Sequence, residues 1–434
     1  PFVGLILSIA VWPLINPHFW ESHYGLITAV WSCIFLGALM FNFGLSTTFQ
    51  EVVGIVFSTY LPFVLLLVAL YTVTGGIHLK GDLTGTPLTN TIMIFLGTAL
   101  ASWVGTTGAS MLFIRPLLRA NIYRKYRVHS VIFFIILVAN IGGSLTPLDD
   151  PPIFLGFLAG MDFFWTTKHL FWPMVFIVST LLSLHFIVDT ILYKRENKAL
   201  LPAPGTKTKL FLEGWQVNLP LLLCIAGAVL MSGTWKPGIF VPLYGKVALP
   251  LQDVVRDILL ILIVFISGRF TDIKIRERNA FIWEPMREVA KLFLGIFICL
   301  VPVLAILKSG ESGALGAIIR LLNTDGQPDN VVYFWITGIL STFLDNAPTF
   351  LVFFNIAGGD AQILMGPMAQ TLLAITCGTV FMGANTYISN APTLMVRSLA
   401  THLGEDMPSF FSYMFIIIAI LFPIYGVFSF IWLR

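Results

Sequence analysis

Charge is what this sequence has least of. Only 11% of its 434 residues are Asp, Glu, Lys or Arg, while 57% are hydrophobic; a soluble domain carries about 25% charged residues. So little charge cannot solvate a globular surface. Several runs of roughly 18 or more apolar residues identify an all-α polytopic membrane protein with the lipid bilayer as its first partner. The formal net charge of +3 is small and gathered into a few loops. It reports orientation in a membrane and excludes a nucleic-acid partner. Cysteine is scarce too. Cys33, Cys224, Cys299 and Cys377 each sit inside an apolar run, with neither disulfide nor metal spacing. No nucleophile–base pair or metal set is present, so an enzyme is not expected, nor is a cofactor. No filter-like repeat supports a channel. A basic n-region and a small-residue cleavage site are both missing, so no cleavable signal peptide is expected. The expected location is a bacterial inner membrane.

What is present is a set of interruptions. The stretch NIGGSLTPLDDPPIF at 140–154 puts two glycines, three prolines and two aspartates where an apolar helix should continue. Each Pro removes a backbone donor, and Gly weakens a helix. At membrane depth the freed backbone groups must line a polar cavity, because lipid cannot bond them. GANTYISNAPT at 383–393 interrupts a second apolar run in the same way. GTTGAS at 105–110 and DNAPT at 345–349 each divide two apolar arms too short to span, which predicts a pair of re-entrant hairpins.

Taken in order, spans are predicted over 2–15, 24–45 and 53–73, then a hairpin over 90–119, a broken helix over 128–160 and a span over 170–192. A polar, proline-containing linker follows at 194–216. Spans over 217–231, 254–266 and 292–307 precede a hairpin over 331–357, a broken helix over 369–400 and a span over 410–433. The chain therefore divides into repeats at 1–193 and 217–434, with about ten spans in all. Threading them puts the basic loops at 115–127, 194–209 and 269–278 on one side, which the positive-inside rule makes cytoplasmic. The two repeats are then inverted, the plan of secondary transporters.

In that plan substrate and ions bind at the breaks. The candidates are Thr106, Thr107 and Ser110; Asn140, Ser144, Thr146, Asp149 and Asp150; Asp345, Asn346 and Thr349; and Asn385, Thr386, Ser389, Asn390 and Thr393. Hydroxyls, amides and carboxylates are hard oxygen ligands suited to alkali cations. Asp150 and Asp345 are the expected sodium carboxylates, although each also stands where a helix N-cap would. Asp149 beside Asp150 raises the like-charge coupling that lets one acid keep a proton. Arg115 and Arg397 each follow a break and would serve either as membrane anchors or as partners of a substrate anion. His129, His169, His185 and His402 share no spacing and are read as non-ligands.

NIGGSLTPLDDPP at 140–152 resembles the N-x-G-G-x-x-T-x-x-G-D-P-P signature of the ion transporter superfamily, as in its arsenite-pump-like and P-protein-like members. DNAP at 345–348 resembles the D-N-x-P hairpin motif shared with NhaD-type sodium/proton antiporters. The resemblance implies site roles for Asn140, Thr146, Asp150, Asp345 and Asn346, a homodimer, and a transport domain that moves as an elevator against a scaffold. Asp149 departs from the signature's Gly. The first reading is a sodium/proton antiporter carrying Na+ and H+. The alternative is a sodium- or proton-coupled carrier of an organic anion such as citrate.

Overall fold

The computed structural model describes residues 1–81, 83–148, 150–197, 211–279, 281–307, 313, 316–324 and 327–434. Asp149 and most of the expected linker lie outside the described residues. Helices carry nearly everything among the described residues, and the sheet is three two-stranded ribbons. Among the described residues, seven helices are long and apolar enough to cross a membrane, and shorter apolar helices accompany them.

Helices α1 (Phe2–Ile15) and α2 (Pro17–Phe43) meet at a tight corner. Asn16 makes it: its side chain accepts from Phe19 N, and Pro17 takes the first helical position, where no N–H is needed. The next long helix runs from α3 (Leu45–Ile55) through a π-turn (Val56–Tyr60) into α4 (Leu61–Thr74). Pro62 removes a backbone donor there, and the wider turn absorbs the mismatch.

A hairpin of α5 (Pro87–Val104) and α6 (Thr106–Ala120) follows. Its hinge is Gly105, at φ +89°, a conformation that favours glycine. The first arm is 18 residues, longer than expected. Thr86 caps it by accepting from Thr89 N, so the helix starts before the apolar run does. Next come α7 (Val128–Leu137), a 3₁₀ turn (Ile141–Gly143), α8 (Pro151–Leu158) and the long α9 (Trp165–Lys194).

Strand β1 (His78–Lys80) pairs antiparallel with β2 (Phe211–Glu213), which lies within the C-terminal part of the expected linker. Then the same order recurs. Helix α10 (Trp215–Thr234), the ribbon β3 (Phe240–Tyr244) and β4 (Val247–Pro250), α11 (Leu251–Phe270), the short α12 (Ile273–Arg278) and α13 (Glu284–Leu307) come first. After α14 (Gly316–Leu322) and the ribbon β5 (Asn323–Thr324) and β6 (Gln327–Pro328), α15 (Asn330–Phe343) and α16 (Asn346–Ile356) form the second hairpin. The short α17 (Ala361–Met365) leads to α18 (Ala369–Met382), a 3₁₀ turn (Gly383–Asn385), α19 (Ala391–His402) and α20 (Phe410–Trp432).

The polar loops at one end of the bundle are tied to each other. Glu213 takes Lys80 at 3.5 Å and Arg278 at 2.5 Å. Arg115 donates to Asn279 O at 2.5 Å, and Arg127 pairs with Glu405 at 2.8 Å. The Glu196 carboxylate accepts from Lys125 N and Tyr126 N. These contacts bring the loop at 115–127, the flanks of the linker and the loop at 268–279 onto one face.

The apolar interior forms two main clusters. One joins both hairpins, α7, α9, α18, α19 and α20. The other joins α4, α10, α11 and α13. On α8, Ile153 belongs to the first and Phe154, Leu155 and Phe157 to the second, and Ala347 at the second hairpin tip belongs to the second.

Candidate substrate site at two broken helices

Both breaks form where glycine and proline prevent a continuous helix, and both are fastened to a hairpin by an equivalent threonine hydroxyl bond, with a second hydroxyl contact at the same spacing. In the first half, Thr146 Oγ1 donates to Ser102 O, and Ser102 Oγ donates to Gly142 O at 2.5 Å. In the second, Thr386 Oγ1 donates to Thr342 O at 2.6 Å, while Thr342 Oγ1 donates to Gly338 O of its own helix at 2.9 Å and lies 3.4 Å from Met382 O. The first bond spans 44 residues in either half and the second spans 40. The halves are thus related at a fixed offset that pairs Thr106 with Asn346, Gly143 with Gly383, and Asp150 with Asn390.

The glycines let the tips close onto the breaks. A methyl group on Gly143 would stand 2.8 Å from Thr106 Cγ2 and 3.6 Å from Asp150 Cβ; one on Gly383 would stand 2.5 Å from Asn346 Oδ1. Gly143→Ala and Gly383→Ala are therefore each expected to destabilise the protein by about 1–3 kcal/mol through overpacking. Gly227→Ala, with no atom within 4 Å of the added methyl, should not. Thermal unfolding of the purified proteins in detergent measures this.

The two breaks are also joined to each other. Asn140 Nδ2 donates to Thr393 Oγ1 at 2.7 Å and to Ile135 O at 2.9 Å. Asn390 Nδ2 donates to Asn140 Oδ1 and Ala139 O, both at 3.2 Å. The second arm of each hairpin packs on the resumed helix of the other half, α16 on α8 and α19 on α6. Asn140, Ser144, Thr146, Asp150, Asn385, Thr386, Ser389 and Asn390 are all buried in this arrangement. Ser389 Oγ bonds back to Gly383 O across its own break. Asn385 Nδ2 donates to Thr342 Oγ1 at 2.9 Å.

The three expected acids separate. Asp150 holds the N-cap position of α8 but makes no side-chain cap bond; it lies beside Gly143, against which Thr106 also packs. Asp345 does cap its helix: Oδ1 accepts from Ala347 N at 3.0 Å, and Thr349 Oγ1 donates to Asp345 O. Its neighbour Leu344 packs beside Leu5, Ile6, Ile296 and Cys299, away from the breaks. The tip residue that meets the break is Asn346, also 2.7 Å from Ser341 Oγ. Asp149, expected beside Asp150, lies outside the described residues. Thr107 is half-buried in the first turn of α6.

Among the described residues, the buried Ser110 Oγ, Ser144 Oγ and Asn385 Oδ1 in this region have no hydrogen-bond partner. An unbonded buried polar group costs about 1–3 kcal/mol, which a ligand would offset.

Sequence reading missed Ser102 and Thr342. Each sits in the last turn of an apolar arm, three residues before Gly105 and Asp345, and that shared spacing was the available signal. It also missed a buried ionic cluster behind the first hairpin. Asp189 on α9 accepts from Arg124, from His129 Nε2 at 3.0 Å and from Asn90 Nδ2 at 2.8 Å. His185 is held by Thr91 Oγ1 at 2.9 Å and Ser130 Oγ at 3.1 Å. His129 and His185, read as scattered, are therefore close neighbours. Their ring nitrogens and an Asp189 oxygen lie within 4.8 Å of one another, near enough to bind a metal. Arg124 already bonds that carboxylate, however, and a buried guanidinium would repel a dication, so the group reads as an internal ion pair.

Long apolar helices and paired, buried polar breaks define a polytopic membrane protein. Residues 1–433 match the family described as "Putative citrate transport", and the chain belongs to that family. No curated protein matches it. The family supports an organic-anion carrier better than the sodium/proton antiporter expected first.

Proposed function

We propose that this protein is a cation-coupled secondary carrier of citrate-class polycarboxylates, working by alternating access. Besides the family, one observation carries the reading: Ser110, Ser144 and Asn385 keep buried oxygens without hydrogen-bond partners among the described residues, around breaks that are bonded to each other. Four helices, α6, α8, α16 and α19, begin at the tips and breaks. Helix N-termini favour anions, and the C-terminal ends of the preceding half-helices favour cations. Both kinds of end lie together here.

Asp150 is the carboxylate we assign to the coupling cation, with hydroxyl and backbone oxygens of the first break and hairpin as neighbours. The opposite half places Asn390 at the matching position, so only the first half has a charged ligand there. The inverted halves, with the tied basic loops facing the cytoplasm, put the hairpins on opposite membrane sides. The two apolar clusters would be the moving and static bodies, meeting along α8 and the second hairpin.

The test is uptake of labelled citrate into proteoliposomes holding the purified protein. An inward sodium or proton gradient is expected to drive citrate accumulation that collapses with the gradient. Sodium pulses that move protons with no carboxylate present would overturn this reading in favour of antiport.

A further inference from the structure

The helix that follows the second break carries a positive charge with no counterion among the described residues. Tyr387 is buried within the break and stacks on Tyr413 of α20, with ring centroids 3.9 Å apart. Its hydroxyl donates to Pro408 O at 3.3 Å. The Arg397 guanidinium lies over the same ring, 4.5 Å from the centroid. Since Tyr413 covers one face, the guanidinium takes the other.

Arg397 is half-buried on α19. Among the described residues it makes neither a hydrogen bond nor an ion pair, and its recorded partner is the ring of Tyr387. The other arginines of the hairpin and loop opposite are committed. Arg115 donates to Asn279 O, Arg119 to Leu79 O, Arg124 to Asp189 and Arg127 to Glu405. Of the two arginines that sequence offered as anion partners, Arg115 donates to Asn279 O, while Arg397 donates to no acceptor among the described residues.

Direction separates a binding role from a membrane anchor. Helical side chains lean towards the helix N-terminus. Arg397 follows that lean and reaches Tyr387, which lies in the break before α19 begins. An anchoring arginine would snorkel towards the membrane surface, away from the break along α19. The ring also places the guanidinium while its N–H donors stay without a protein acceptor among the described residues. A fixed planar fork fits a carboxylate through two parallel bonds, which a lysine cannot reproduce. A half-buried charge with no counterion is costly, and a bound carboxylate would supply one.

We infer that Arg397, held over the Tyr387 ring, binds one carboxylate of the transported anion and sets the carrier's preference for substrates bearing several negative charges. This rests on the carrier reading above. The remaining carboxylates would face the helix N-termini at the breaks.

The experiment compares wild type, Arg397→Lys and Arg397→Gln, with exposed Arg195→Gln as the control for lost charge. Uptake of citrate and of succinate is measured in proteoliposomes, and citrate-dependent thermal stabilisation is measured in detergent. Arg397→Gln is expected to raise the KM for citrate about tenfold or more, the scale of one lost charge-assisted pair. It should also narrow the citrate-to-succinate preference. Arg397→Lys should recover little of either, and Arg195→Gln should match wild type. If wild type takes up citrate while both Arg397 variants keep its KM and preference, the inference is overturned and the arginine is structural. If wild type neither takes up nor is stabilised by any di- or tricarboxylate, the carrier reading itself fails. Should Arg397→Gln not fold, thermal stabilisation of Arg397→Lys by citrate decides: a wild-type shift overturns the assignment, and a lost shift supports it.

Discussion

Removing the Asp189 carboxylate, as in Asp189→Ala, is expected to cost the protein about 3–5 kcal/mol, the scale for breaking a buried ion pair from one side. Asp189 is fully buried and neutralises Arg124, which is itself 1% exposed at its side chain. Without the carboxylate, the guanidinium keeps the neutral acceptors Gly85 O and Asn121 Oδ1, both at 3.1 Å, and its remaining counterion among the described residues is Glu196 at 3.9 Å, which already accepts from two backbone N–H groups. The damage should spread along the bonded partners. Asn90 stands on the first arm of the hairpin, Arg124 follows the second, and His129 begins α7. The base of the hairpin and the helix behind it would lose their shared acceptor together. Thermal unfolding in detergent, with size-exclusion as a check on dispersity, measures the loss. Asp189→Asn/Arg124→Gln should be more stable than Asp189→Asn alone, because no charge is left buried without its partner. Equal stability of the single and double variants would refute the ion-pair account. His129→Gln should cost much less, since that ring is partly exposed and supplies only one of three donors.

Asp150→Asn is expected to abolish gradient-driven uptake, to below about 1% of wild type, while shifting stability by no more than about 1 kcal/mol. The exchange preserves shape and removes the negative charge assigned to the coupling cation. Nothing in the capping of α8 is lost, because the Asp150 side chain makes no cap bond, and Asn serves at an N-cap about as well as Asp. Asp345 supplies the contrast. It does cap its helix, so Asp345→Asn should keep most of the uptake, and Asp345→Ala should cost about 1 kcal/mol. Uptake and thermal unfolding measured on the three variants decide between the roles. Gradient-driven uptake surviving in Asp150→Asn would move the cation to other ligands, and its loss in Asp345→Asn would return the hairpin acid to the site.

How much of this was legible depends on the range of the forces involved. The two breaks, the two hairpins and the membrane class were readable, because glycine, proline and apolar length act on the chain within a few residues. Helix ends were less so. The first arm of the hairpin at Pro87 and the helix at Glu284 begin earlier than the apolar runs suggest, since caps and polar first turns extend a helix past its hydrophobic stretch. The fastening roles of Ser102 and Thr342 were hidden for a different reason: alone in an apolar arm, a hydroxyl most often bonds its own helix, as Thr342 Oγ1 still does to Gly338 O, and only the break folded against the arm uses the residue as an anchor.

By itself, then, the sequence determined where the chain must bend and that it lives in lipid. Tertiary structure alone decided which of the polar groups meet. It put Asn140 against Asn390 from opposite halves, gathered His129, His185, Arg124 and Asp189 into one buried cluster, committed Arg115 to a backbone carbonyl, and left Arg397 over the ring of Tyr387. Bonding between residues tens to hundreds of positions apart follows from packing, and no local pattern encodes it.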